Sequence, residues 1–437
     1  MKKCPMALDA AVAFGAAAMW SNAALADLVY AKNGVELSLY GILDAGVGTL
    51  EHSYSSSSVF ISGINPYNLN SSPNSFTGLY GSGISMSRVG IKGEADLGND
   101  MQAFFKLESA VNVLDGVLSD NGQSIYNDLG GLKSANGASA INGQAFQRAA
   151  YAGFSKSLWG SIELGRTTNL SLDQVTQYDP VQAAYLYSPL GFSGGIGGGL
   201  GATENTRYDD SVKYENKLGG VEFGAQYKFA GSKIDQSAGS GYVAMLGYSM
   251  GPFSVKGTYS QTTNTVAWAT QYSNVVTPDS NLQIENTRGF MFSGMYSISA
   301  AATAKIGYEY STISAPSNQF LGGIQEYYGL TLPNPAQNMS GEQHFGTFWI
   351  GGDYKFTQAF DLAAGYYNVN TDNSPEVKKE YRAAAYSVLA DYTLTKSFDA
   401  YAGILSMHYS GVGLDKHAPT LSYSSNALYG VGLRFKY

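Results

Sequence analysis

Val221-Glu222-Phe223-Gly224-Ala225-Gln226-Tyr227-Lys228-Phe229 is the stretch that decides the fold. Val221, Phe223, Ala225, Tyr227 and Phe229 take alternate positions, and Glu222, Gly224, Gln226 and Lys228 take those between. Successive side chains of a strand point to opposite sides, so this is a ribbon with an apolar face and a polar face. The pattern recurs at both ends of the chain. Val35, Leu37, Leu39, Leu43 and Val47 oppose Glu36, Ser38, Tyr40 and Asp44, and Tyr429, Val431, Leu433, Phe435 and Tyr437 oppose Gly430, Gly432, Arg434 and Lys436. Tyr and Phe gather toward strand ends, as in Tyr308/Tyr310 and Tyr354/Phe356. A soluble sandwich also alternates, but aromatic girdles at two interfaces are a property of barrels in membranes.

The connectors between these strands come in two lengths. Leu97 to Asp100, Ser157 to Gly160, Lys217 to Gly220, Met250 to Pro252 and Thr395 to Ser397 are short. Glu51 to Gly83, Leu114 to Gln144, Thr167 to Thr206, Asn264 to Asn286 and Ala315 to Gln343 are long and rich in Ser, Asn, Gly and Pro. Short turns on one side and long loops on the other are expected of an outer-membrane barrel. The hairpins Asp353 to Asp361 and Asp391 to Asp399 nearly repeat, which points to an up-and-down meander. The segments number roughly sixteen, the even count such barrels require. The expected fold is therefore all-β, an antiparallel transmembrane barrel.

Bulk properties agree. The 437 residues are 44% hydrophobic, with 53 Gly, 33 Tyr and 20 Phe, yet mean hydropathy is only -0.12, as alternation between lipid and water requires. Lys2 and Lys3, the apolar run Ala10 to Met19 and the Ala24-Leu25-Ala26 site read as a secretory leader over 1–26, leaving a barrel over 27–437. Cys4, the one cysteine, lies in that leader, so disulfides and Cys-based zinc sites are not expected. Without Lys2, Lys3 and Asp9 the formal charge of -8 becomes -9, which argues against nucleic acid as a partner.

Several stretches together resemble the general porins of Gram-negative bacteria, β-proteobacterial type, over the whole mature length. They are Leu37 to Gly46, Ser87 to Gly98, Phe104 to Ser109, Gln147 to Phe154, Leu164-Gly165-Arg166 and Ser211 to Tyr214. The resemblance implies sixteen strands, a homotrimer in outer-membrane lipid and lipopolysaccharide, and a third loop folded into the lumen. Two features depart from the family pattern: the chain ends in Tyr437 rather than Phe, and the second loop, Leu114 to Gln144, is long.

A diffusion channel needs a charged narrowing and no reacting group. The third loop, Thr167 to Thr206, holds Asp173, Asp179 and Glu204 and no Lys or Arg. Facing it, Arg88 shares a strand face with Lys92, Arg148 lies opposite Tyr151, Arg207 and Lys213 share one parity, and Lys106 and Glu108 stand on a polar face. Alternation directs all of these inward, where small hydrophilic solutes would pass. Arg166 shares parity with Ile162 and Leu164 and is expected to anchor the base of the loop by hydrogen bonds. Asp173 and Asp179 either line the narrowing or pin the loop to the wall. An enzyme is not expected: His52, His344, His408 and His417 lack metal-ligand spacing, Gly194 to Gly201 lacks a P-loop lysine, and the adjacent Asp209 and Asp210 should face opposite sides. No cofactor or metal is expected. A substrate-selective channel, for a carboxylate or a sugar, is the alternative on the same fold.

Overall fold

The computed structural model describes residues 26–32, 34–51, 75–114, 116, 118, 145–190, 207–229, 240–268, 282–314, 326–327, 330–331, 342–372, 380–411 and 425–437. The elements run β1 (Ala26–Lys32), β2 (Val35–Leu50), β3 (Phe76–Gly81), β4 (Arg88–Gly98), β5 (Met101–Ala110), β6 (Ala149–Lys156), β7 (Gly160–Thr168), helix α1 (Leu170–Tyr178), β8 (Arg207–Leu218), β9 (Val221–Lys228) and β10 (Gly241–Met250). They continue with β11 (Phe253–Trp268), β12 (Leu282–Ser297), β13 (Ala302–Ser314), β14 (Glu326–Tyr327), β15 (Leu330–Thr331), β16 (Gln343–Lys355), β17 (Phe360–Asp372), β18 (Glu380–Thr395), β19 (Phe398–Gly411) and β20 (Ser425–Lys436).

Neighbours in sequence pair antiparallel throughout, and β20 returns to pair with β2, which closes the barrel. β3 and β4 both pair with β2 and form one stave interrupted by residues 82–87. β1 pairs with β2 beyond the end of β20 and prolongs that stave. The small β14–β15 hairpin stands apart from the wall. The wall thus has sixteen staves. Three of the expected long connectors contain more strand than the sequence reading allowed. β3 lies inside Glu51 to Gly83, β11 and β12 extend into Asn264 to Asn286, and β14 and β15 lie inside Ala315 to Gln343. The short connectors all fall at one end, and left-handed residues make the tightest of them: Gly219 (φ 61°) and Gly251 (φ 56°).

Alternation holds on both faces of the wall. On β9, Val221 and Tyr227 are exposed while Gln226 and Lys228 are buried. The outward girdle near the short turns includes Tyr248, Tyr296, Tyr354 and Tyr392, and that near the long loops includes Tyr242, Tyr259, Tyr310 and Tyr386. A Lys or Arg facing lipid costs about 2–4 kcal/mol at mid-membrane and about 0–1 near the interfaces. Accordingly Lys32, Lys156, Arg288 and Arg382, outward cations of the described strands, stand at strand ends or level with the ends of neighbouring strands.

Candidate pore constriction

α1 is built from a capped amphipathic segment. Asn169 is its N-cap, with Oδ1 accepting from Ser171 N–H at 2.7 Å. Leu170, Gln174, Val175 and Tyr178 share a buried face, and that face lies on the inner wall of β9 to β13. The Tyr178 hydroxyl is 2.6 Å from Ser254 Oγ, Gln174 Nε2 donates to Ser293 Oγ at 2.9 Å and to Lys256 O at 3.0 Å, and Leu170 N–H donates to Gln226 Oε1 at 3.3 Å. A helix pressed against the inside of a sheet cannot also be solvent-filled space, so the loop narrows the lumen.

After the helix, residues 179–190 continue along the rest of the wall. Trp349 Nε1 donates to Tyr178 O at 3.1 Å and Lys305 Nζ to Asp179 O at 2.9 Å. The Asp179 carboxylate accepts from the Tyr367 hydroxyl and from Ala183 N–H, both at 2.5 Å. Burial pushes the Asp179 carboxyl above the usual Asp range, and the Tyr367 hydroxyl bond offsets part of that rise. Farther on, Leu186 N–H donates to Gly83 O at 2.8 Å, and Tyr187 packs edge-on against Tyr401.

The strand break at 82–87 is what the loop meets there. Asp44, fully buried, accepts from Gly83 and Ile84 N–H at 3.0 Å, from Ser85 N–H at 2.8 Å and from the Tyr401 hydroxyl at 2.5 Å. Ser82 is left-handed (φ 72°), and a Cβ on Gly83 would collide with the Tyr401 hydroxyl. Two buried aspartates, each paired to a tyrosine, therefore hold the loop at successive points.

The arc of wall from β4 to β8 is left to face it. Glu108 on β5 sits at the centre of three cations: Arg148 Nε at 2.6 Å, Lys106 Nζ at 3.3 Å and Arg88 Nε at 3.7 Å. The Tyr40 hydroxyl donates to it at 2.9 Å, and Lys106 also lies over the Tyr40 ring. One carboxylate among three bases leaves a net positive patch. Alongside, Lys213 on β8 binds Asp173 of α1 at 2.5 Å and Glu215 at 3.1 Å, and Glu163 stands beside it in register on β7.

The residues singled out from sequence divide accordingly. Arg88, Lys106, Glu108 and Arg148 are brought together, and Asp173 and Lys213 form a separate pair. Arg148 reaches Glu108 for a reason other than parity, since Tyr151 also faces the lumen, in register with Lys106. Arg148 lies one residue before β6, where strand alternation no longer applies. Arg207 is corrected. Asp209 and Asp210 both oppose Arg166, a bulge with Asp210 left-handed (φ 47°), and this extra residue reverses parity between Arg207 and Lys213. Tyr208, rather than Arg207, shares the lumenal face, and Arg207 Nε instead donates to Arg148 O at 2.9 Å. The bulge also undoes the expectation that Asp209 and Asp210 alternate as in a regular strand. Asp179, wholly buried, pins the loop and does not line the opening. Arg166 donates to Gln147 O at 2.6 Å and pairs with Asp209, bracing β6, β7 and β8 where the loop departs. Glu204, Gly194 to Gly201, His52, His417, residues 1–25 of the leader and most of Leu114 to Gln144 lie outside the described residues.

The family model described as "Gram-negative porin" matches residues 10–411. The chain belongs to that family. Among curated proteins, this porin is 30% identical over 210 residues to an outer membrane porin protein of Bordetella pertussis, covering 48% of this chain and 46% of that one. The match thus spans about half the length of that relative. Among solved structures it resembles an anion-selective porin from Comamonas acidovorans, with a TM-score of 0.61 at 17% identity, covering 92% of this chain and 100% of the other. It also resembles OmpT of Vibrio cholerae, with a TM-score of 0.60 at 15% identity, covering 94% and 100%. A trimer form of the same Vibrio protein gives 0.58 at 16% identity, covering 93% and 100%. At these identities the structures speak to the fold. Family, relative and barrel together place this porin in the outer membrane.

The sequence reading passed over Asp44, Tyr367 and Tyr401, which hold the loop, and Glu163, which stands beside Lys213. Asp44 is visible in sequence as a polar residue on β2, but its partners stand 39 to 357 positions away. α1 did carry a local signal: Asn169 before Leu170, then Gln174, Val175 and Tyr178 on one helical face.

Proposed function

We propose that this porin forms a water-filled channel for passive diffusion of small hydrophilic solutes and ions, filtered by charge at the constriction. The observation that carries this reading is the loop 169–190 docked along the inner wall of a closed barrel, leaving the charged arc β4 to β8 to face the passage. No step of bond making is needed, and among the described residues no cluster of His, Cys, Asp and Glu is grouped to hold a metal. Reconstituted protein should give stepwise conductance in planar bilayers, and folded protein that gives none would overturn the reading.

A narrower reading, preference for small anions such as carboxylates, is favoured by three cations around Glu108. The Comamonas porin, which shares this fold, is anion-selective. The reversal potential in a salt gradient separates the two readings.

The assembly is a homotrimer, embedded in outer-membrane lipid and lipopolysaccharide. Support comes from the trimer form of the Vibrio protein and from a shallow outward groove over β18, β19, β20 and β2. Small residues such as Gly48, Ala390 and Ala402 floor this groove, and Val47, Ile404 and Val431 flank it. Unheated gels in dodecyl sulfate should show a trimer band. Residues 1–26 are a cleaved leader, which the mass of the mature chain tests.

A further inference from the structure

Glycine inside a strand packs nothing and costs order, so a cluster of glycines marks a place where another group needs the space. Across β19, β20, β2 and β3, register brings Gly403, Gly430, Gly48 and Gly78 into one inward row. The next inward row toward the short turns is Tyr401, Gly432, Gly46 and Tyr80. On the other side stand Leu405, Leu428 and Leu50, all buried. The inner wall thus has a glycine floor framed by tyrosines below and leucines above.

Three rings use this floor. Tyr80 lies over Gly46, and Tyr401 lies over Gly432. The third ring, Tyr187, comes from the constriction loop. A Cβ built on Gly403 would stand 2.6 Å from Tyr187 Cε1 and 2.7 Å from its Cδ1 and Cζ, and one on Gly430 would collide with the Tyr187 hydroxyl. Tyr187 is fully buried, with its hydroxyl 3.2 Å from that of Tyr80 and its centroid 6.4 Å from that of Tyr401. A turn stiffens the backbone behind it, where Ser188 N–H donates to Ala184 O at 2.8 Å. The near end of the loop is fixed by α1 on β9 to β13, and Tyr187 fixes the far end on β19 and β20. The stand-off of that far end from the wall sets how much of the lumen stays open toward β4 to β8.

We propose that Tyr187 is a positioning residue for the constriction, a peg whose socket is floored by Gly403 and Gly430. This role rests on the channel reading. A methyl group at 403 would lift the ring off the wall and carry the loop toward the passage. The strand itself accepts alanine there, because Gly403 lies in the regular pairing of β19 and has no left-handed backbone.

The test uses the full folded chain in planar bilayers, with heat-sensitive gel mobility as the check that the barrel has closed. Gly403→Ala should lower single-channel conductance and exclude smaller sugars than wild type excludes. Tyr187→Phe keeps the ring and should conduct as wild type does. Once Tyr187→Ala has emptied the socket, adding Gly403→Ala should change conductance no further. Wild-type conductance in Gly403→Ala, or an equal loss from it with and without the ring, overturns the role of Tyr187. If the clash at Gly403→Ala prevents closure, Gly403→Ala with Tyr187→Ala should restore it, and a double variant that also fails to close overturns the socket. Hydrogen exchange over residues 184–190 needs no current. Gly403→Ala and Tyr187→Ala should each speed it while the amides of β19 and β20 keep their protection, and unchanged exchange overturns the socket. Faster exchange in both variants, beside a folded wild type that gives no conductance steps, supports the socket and overturns the channel reading instead.

Discussion

Glu108 decides how much charge the constriction shows to a passing ion. It is almost wholly buried, and its cost of desolvation is offset by three bases and a tyrosine hydroxyl within 3.7 Å. Glu108→Gln removes the one negative member of the patch while keeping its shape, so the reversal potential in a salt gradient should shift toward anions. Arg88→Ala with Arg148→Ala should shift it toward cations. If both variants move it in the same direction, or neither moves it, the patch does not set selectivity. Asp179 makes a different prediction. Its folded pKa lies above the ordinary value of about 3.9, so the folded state binds its proton more tightly than the unfolded chain. That contribution to stability is whole below about pH 3.9 and is lost as pH rises through the folded value. Asp179→Asn should flatten this dependence, read as the temperature at which the barrel unfolds in detergent across acidic pH. An unchanged slope would show that Asp179 is not the group responsible. The inward positions of Arg88, Lys106 and Glu108 were legible because strand parity is a local rule. The reversal at Arg207 was not, because one extra residue at Asp209-Asp210 leaves no mark in composition.

The constriction loop is held as an element by features of two kinds. α1 is local: a cap, a buried face and a short helix that needs the wall to be stable. The hold at 82–87 is not local, since Asp44 organises a break in one stave so that the next segment of loop can rest on it. Asp44→Ala would leave three backbone N–H groups and the Tyr401 hydroxyl without their acceptor, at about 1–3 kcal/mol for each buried orphan. The barrel itself keeps its pairings in this variant. The expected result is a normally assembled protein whose single-channel current is noisier and whose conductance is altered, with Asp44→Asn intermediate. A quiet, wild-type current in Asp44→Ala would show that the break at 82–87 does not restrain the loop. From sequence the third loop was recognisable as long and acidic. What it rests on was hidden, because hydrogen bonds such as Tyr401 to Asp44 join positions that periodicity does not relate.

At the scale of the whole molecule, the alternating strands and the two connector lengths were enough to read the barrel, because lipid on one side and water on the other impose the same period on every stave. Strand breaks and the reach of β11 and β12 beyond their neighbours were beyond that reading, since they depend on what packs inside and above the wall. Closure depends on the ends of the chain. Gly41 N–H donates to Tyr437 O at 2.9 Å, and Tyr437 N–H returns the bond to Gly41 O at 3.2 Å. Deleting the last stave from Ser425 onward should leave β2 and β19 as open edges, and such a chain should fail to show the heat-sensitive gel mobility of a folded barrel. Retained mobility would mean that the wall can close without β20.

That seam also carries a history. The partners at Gly41 and Tyr437 are separated by nearly the whole chain, so bringing them together carries the largest loop-closure entropy of any pairing in the wall, although that cost grows only with the logarithm of the loop length. Hairpins joined by short turns can form early and independently, while the join between first and last staves must wait for all of them. The pairing of β20 with β2 thus completes the ring, and a barrel that lacked it would be left as a curved sheet with two sticky margins.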